Sequence, residues 1–296
     1  HDPNCSWNGA AYIPGLASKI NTKAFLPSVV SHELGHNFGS HHASSYSCTN
    51  SSGVRVSIST TCILDEYGDP FDNMGAGNAT KHFNVFNKGR ISALDPANTQ
   101  TIVANGTYTI NSLEPVGSNT KVLRVPKEYS GGVVTKYYYL EYRQPFGFDN
   151  FVSGDPVVNG ISIRIAPDYS VLIQSWLVDT TPATASFSDA PLALNQTFTD
   201  SVAGVSITTA SKSATNASVE VTFTSPPCIR VNPLISVSPV SQWGYPGDTL
   251  SYDLTITNND TTACGASDFS TTLTSSVGFQ ISPSPKITNV APGVTS

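Results

Sequence analysis

Two periodicities divide this chain. Between Phe25 and Phe38, in FLPSVVSHELGHNF, apolar residues recur four apart at Val30, Leu34 and Phe38. On a helix these form one stripe, and His32 and His36 fall on the opposite side. Pro27 suits a first helical turn and Gly39 a stop, so the pattern predicts one helix with its apolar stripe on the core and two imidazoles on the other face. Ahead of it, Gly9-Ala10-Ala11-Tyr12-Ile13, closed by Pro14-Gly15, reads as a short strand. Beyond about residue 101 the period becomes two. Tyr138, Leu140 and Tyr142 alternate with Tyr139, Glu141 and Arg143. Ile161, Ile163 and Ile165 alternate with Ser162 and Arg164, and Val219, Val221 and Phe223 repeat the pattern. Such runs, bounded by Gly, Pro, Asn and Asp, predict half-buried strands of a sandwich. Pro226-Pro227 makes a stiff break, after which Leu250, Tyr252, Leu254 and Ile256 predict a further strand. The expected fold is an α+β region over residues 1–100, an all-β sandwich over 101–226 and a smaller β module over 227–296.

Composition narrows the function classes. Charged residues are only 12% of the 296, and the net charge is -6, so no basic stripe exists for a nucleic-acid partner. No apolar run approaches the roughly 20 residues of a membrane span. Cys48 and Cys62 bracket a Ser/Thr/Gly-rich stretch, and Cys228 and Cys264 bracket two strand-like runs, which makes two candidate disulfides and predicts an oxidising, extracellular setting. Cys5 is left over. The oligomeric state has no signature in the sequence.

The chemistry concentrates in one string. His32-Glu33-Leu34-Gly35-His36 is HExxH on the expected helix, and residues i and i+4 place two imidazoles on one face within reach of a single Zn²⁺. Gly39 lets the chain turn sharply, and His42 then returns as a third ligand, leaving a fourth position open for water. Spacing favours His42 over its neighbour His41. Glu33, one residue round from His32, is placed to act on that water as a general base without ligating the metal. Asp65, Glu66, Asp69 and Asp72 are loop carboxylates that a Ca²⁺ ion would suit, and Asp149 and Asp155 are weaker candidates. His82 reads as structural, and the run Tyr137-Tyr138-Tyr139 as a strand split between core and surface.

HELGHNFGSHH, the segment YGDPFDNMG and the preceding CSWNGAAYIPG together resemble the gametolysin-type secreted metallopeptidases of the metzincin group. The resemblance covers residues 1 to about 100 and continues more loosely through GTYTINSLEP and YYYLEYRQPFGFD. From Cys228 onward the chain is similar to immunoglobulin-like modules appended to bacterial secreted proteases. The resemblance implies a secreted zinc endopeptidase in which His32, His36 and His42 bind zinc and Glu33 activates a zinc-bound water. It also implies that Met74 forms a turn beneath the ligands, and that Gly9, Ala10, Ala11 and Tyr12 are the edge strand that pairs with an extended peptide substrate. Such a catalytic domain has further strands and helices ahead of this segment, so the chain is expected to start late within it and to stop inside its last module. The competing expectation is a secreted adhesion or substrate-binding β protein whose protease region is incomplete and inactive.

Overall fold

Most of the alternating positions after residue 101 fold into strands, and so do several segments before it. The computed structural model describes residues 1–296 apart from 23–25, 76–80, 131, 276–277, 279 and 281–285. In chain order the strands are β1 (Gly9–Ala11), β2 (Ser18–Ile20), β3 (Ala43–Thr49), β4 (Arg55–Val56), β5 (Thr61–Asp65), β6 (Thr99–Thr101), β7 (Gly106–Asn111), β8 (Val122–Ser130), β9 (Val133–Glu141) and β10 (Gly160–Ala166). They continue as β11 (Ser175–Val178), β12 (Leu192–Ala193), β13 (Thr197–Asp200), β14 (Val205–Lys212), β15 (Asn216–Phe223), β16 (Leu234–Ser238), β17 (Asp253–Thr257), β18 (Ser267–Ser270) and β19 (Lys286–Val290). The α-helices among the described residues are α1 (Pro27–Asn37), α2 (Val85–Arg90) and α3 (Pro156–Asn159). The protein is therefore mostly β-sheet with few helices.

The chain divides into two units, residues 1–129 with 134–225, and residues 226–296 with 130–133. In the larger unit, nine strands form one sheet along β4-β3-β11-β10-β9-β8-β6, with β5 added on β3 and β12 on β10. β3 runs parallel to β11, with Ala43 opposite Ser175, so residues on both sides of position 100 share this sheet. A four-stranded sheet, β13-β14-β15-β7, lies against it. Their common core joins Leu123, Tyr138, Leu140, Ile161, Ile163 and Ile165 of the large sheet to Ile110, Phe198, Ile207, Val219 and Val221 of the small one.

β15 keeps the expected half-buried alternation, but β9 and β10 do not. Tyr139, Glu141, Arg143 and Arg164, expected to face water, are all fully buried. The reason is that the second face of the large sheet is covered too. Val85 and Phe86 of α2 pack with Leu113, Val122, Tyr139 and Ala166 there. The charges on this face are paired rather than solvated. Arg164 binds Asp69 at 2.7 Å and Glu141 at 2.5 Å, while Arg143 binds Asp149 at 2.5 Å. Burial disfavours the Glu141 charge, but Arg164 and Arg143 hold its carboxyl below the ordinary value.

Cys48 and Cys62 stand opposite each other on β3 and β5 and are disulfide-bonded, as are Cys228 and Cys264. Cys5 has no disulfide partner among the described residues. In the smaller unit β16 pairs β17 and β18 pairs β19. Leu250 and Tyr252, expected within a strand, precede β17, where Ile256 is the buried residue. No helix among the described residues is long and apolar enough to cross a membrane.

Candidate metal centre

The site begins with α1. Leu26 occupies its N-cap without a side-chain bond and Pro27 supplies the first-turn geometry; the expected start at Phe25 lies outside the described residues. Gly39 follows the helix with φ +103, a left-handed conformation suited to glycine, and Arg90 reaches its carbonyl at 3.4 Å. The face that α1 buries is not the expected one. Leu34 and Phe38 are 44% and 65% exposed, whereas Glu33, Gly35 and His36 are buried. Gly35 explains the choice. A Cβ there would lie 2.6 Å from Met74 Sδ and 2.9 Å from the Phe83 ring, so the bare glycine lets the helix settle on these two side chains.

The segment Asp69–Met74 is fixed from several sides. Asp72 accepts from the backbone N–H of Met74 and of Asn84 and from Asn87 Nδ2, and burial beside Asp69 pushes its carboxyl up to about 6. Asn73 Nδ2 donates to Ser28 O and Ser31 Oγ on the helix, and Ala43 N–H donates to Met74 O at 2.9 Å. Met74 is fully buried beneath α1.

At the same helix three imidazoles converge, and each is oriented by an oxygen at Nδ1. His32 faces Asn73 O at 2.9 Å, His36 faces Ser40 O at 2.9 Å, and His42 faces Glu66 Oε1 at 2.7 Å. An acceptor at Nδ1 places the proton there and leaves Nε2 as a lone pair, the tautomer that suits a metal ligand. Burial lowers the pKa of all three histidines, which favours the neutral rings. One ligand atom from each lies within 4.8 Å of the others, and the Nε2 atoms of His36 and His42 are 3.1 Å apart. Two lone pairs at that distance can share a cation, and tetrahedral ligands at about 2.0–2.1 Å from zinc stand about 3.3 Å apart. The donor set therefore fits such an ion. His42, not His41, completes the cluster.

Glu33 lies beside the histidines with one carboxylate oxygen buried and without a hydrogen-bond partner, and burial raises its pKa. Over it passes β1. Asn21 N–H donates to Asn8 O and Tyr12 N–H to Ala17 O, so the ladder turns the N–H and C=O of Gly9 and Ala11 to the other edge of β1, which no strand among the described residues covers and which is its free edge. Tyr12 falls just past the strand. Asn37 Nδ2 ties the hairpin to α1 through Tyr12 O and Ala17 O.

Glu66 and Tyr67 carry no recognisable spacing in the sequence, yet both belong to the site. Glu66 orients His42, and the Tyr67 ring lies 4.0 Å from the His42 ring between centroids. Replacing Glu66 by Ala removes that acceptor, and a fall in zinc affinity of about 10–100-fold is expected in titration against a competing chelator. The four loop carboxylates considered for Ca²⁺ do not converge. Asp69 faces Arg164, Asp72 binds backbone amides, Glu66 serves His42 and Asp65 is exposed. Asp149 is spent on Arg143, and Asp155 stands at the start of α3. His82 accepts from Phe148 N–H and sits 3.4 Å from Glu114, a structural setting. Comparison of the chain with family models, curated proteins and solved structures yields no match.

Proposed function

We propose that this chain is a secreted zinc metalloendopeptidase of the metzincin group, similar to the gametolysin type, with an immunoglobulin-like module from Cys228 onward. The observation that carries the reading is the convergence of His32, His36 and His42 beside Glu33, each with its Nδ1 satisfied and its Nε2 turned inward. A bound zinc ion would supply Lewis acidity toward the scissile carbonyl and lower the pKa of water. The chain's own residues do the rest. The three imidazoles hold the ion, while Glu33 takes a proton from the attacking water and returns it to the leaving amine. A buried carboxylate of raised pKa is a stronger base for that exchange than a solvated one. The open N–H and C=O groups of Gly9 and Ala11 pair with an extended peptide by strand addition. Two disulfides suit an extracellular protein.

Incubation of the zinc-loaded chain with an unfolded protein is expected to give internal cleavages that stop with a chelator and resume on zinc addition. Cleavage insensitive to chelation would contradict the reading. The exposed Leu34 and Phe38 on the site helix favour a second reading, a secreted substrate-binding β protein whose metal centre turns nothing over. That protein would bind an extracellular polymer without chelator-sensitive cleavage.

A further inference from the structure

Gly9 lies in β1 at the point where the strand crosses Glu33. A Cβ built there would stand 2.3 Å from Glu33 Oε1, 2.6 Å from its Cγ and 2.7 Å from its Cδ, so three atoms of one side chain occupy the space that any other residue needs. Backbone conformation does not demand glycine here, because Gly9 is extended and is not among the residues of positive φ. The glycine is thus explained by a contact rather than by a turn.

The contact joins two things. Gly9 is one of the two β1 residues whose backbone groups face the free edge, and its Cα side is the lid over the Glu33 carboxyl. The helix end of the arrangement is held as well, since Asn37 fastens the β1–β2 hairpin to α1. Glu33 is itself buried, with Oε2 lacking a partner, so the strand rather than a hydrogen bond limits where the carboxyl can go. We propose that Gly9 is a positioning residue for Glu33, its missing side chain letting β1 close on the carboxyl and fix the base in register with the strand edge that receives a substrate backbone. The substrate and base roles rest on the endopeptidase reading; the steric interlock does not.

A double-mutant cycle on the full chain separates the two. In an extended strand, Gly→Ala ordinarily stabilises by restricting the unfolded chain. Here Gly9→Ala is expected to lower the melting temperature by about 3 °C or more, because the new methyl overpacks the site. In the Glu33→Ala background the space is free, so Gly9→Ala should leave the melting temperature unchanged or raise it. A fall of equal size in both backgrounds, or no fall in either, would overturn the interlock. Should Gly9→Ala alone fail to fold, the double variant is expected to fold, and its failure would overturn the proposal equally. For the zinc-loaded chain, Gly9→Ala is expected to lower kcat at least tenfold with zinc affinity and KM within about twofold, whereas an unchanged kcat would contradict the positioning role. If the parent chain cleaves nothing, the endopeptidase reading fails while the thermal cycle still decides the interlock.

Discussion

Glu33→Gln is expected to bind zinc within about twofold of the parent chain and to lose turnover by about 10²–10⁴-fold. The amide keeps the shape of the side chain, which matters because Gly9 leaves room for that shape. What it loses is the ability to take a proton. None of the Nδ1 acceptors of the three imidazoles is Glu33, so the ligand set is undisturbed by the exchange. Parallel measurement of zinc content and peptide cleavage checks this. Parental rates in the variant would remove Glu33 as the base.

Arg164→Met is expected to destabilise the larger unit by about 3–5 kcal/mol in urea unfolding, because it leaves buried Asp69 without its cation and Glu141 with Arg143 alone. Arg164 is fully buried between Asp69 and Glu141, and Met has no charge to offer either. Asp69 also accepts from Phe71 N–H, so the damage reaches the segment that carries Met74 and supports His32 through Asn73. A loss of zinc affinity should accompany the loss of stability. The pH dependence has a definite sign. Glu141 has its pKa held below 4.5 in the folded chain, so its contribution is present above about pH 4.5 and is lost as pH falls through the lowered folded value. In Arg164→Met only Arg143, 3.3 Å away, still opposes the Glu141 charge, so the folded pKa rises and acid unfolding should begin at higher pH. A change of less than about 1 kcal/mol would mean the pairs contribute little to holding this face.

The positions of His32, His36, His42 and Glu33 were legible because a helix converts sequence spacing into geometry, and Gly39 marks where the chain must turn. The cysteine pairs were legible because Cys48 and Cys62 bracket one Ser/Thr/Gly-rich stretch and Cys228 and Cys264 bracket two strand-like runs. What the sequence concealed was which surfaces meet. Alternation along β9 and β10 signals strands, but a polar residue reads as exposed unless its partner is known, and the partners of Arg164 and Arg143 lie far away in sequence at Asp69 and near at Glu141 and Asp149. The apolar stripe of α1 misled for a related reason. Gly35, with no hydrophobic weight in a periodicity, fixes the buried face through Met74 and Phe83. Glu66 and Tyr67 sit in a loop, where no period exists to announce a role. Leu250 and Tyr252 alternate like strand residues, yet β17 starts only at Asp253.

The site stands on His32, His36 and His42, and no other set, binding one ion. The most direct measurement is zinc per chain by elemental analysis after loading with Zn²⁺ and exhaustive dialysis, for the parent and for His42→Ala. About one zinc per chain is expected in the parent and none above background in the variant, with His41→Ala behaving as the parent. No zinc in the parent, or equal zinc in parent and His42→Ala, would contradict it.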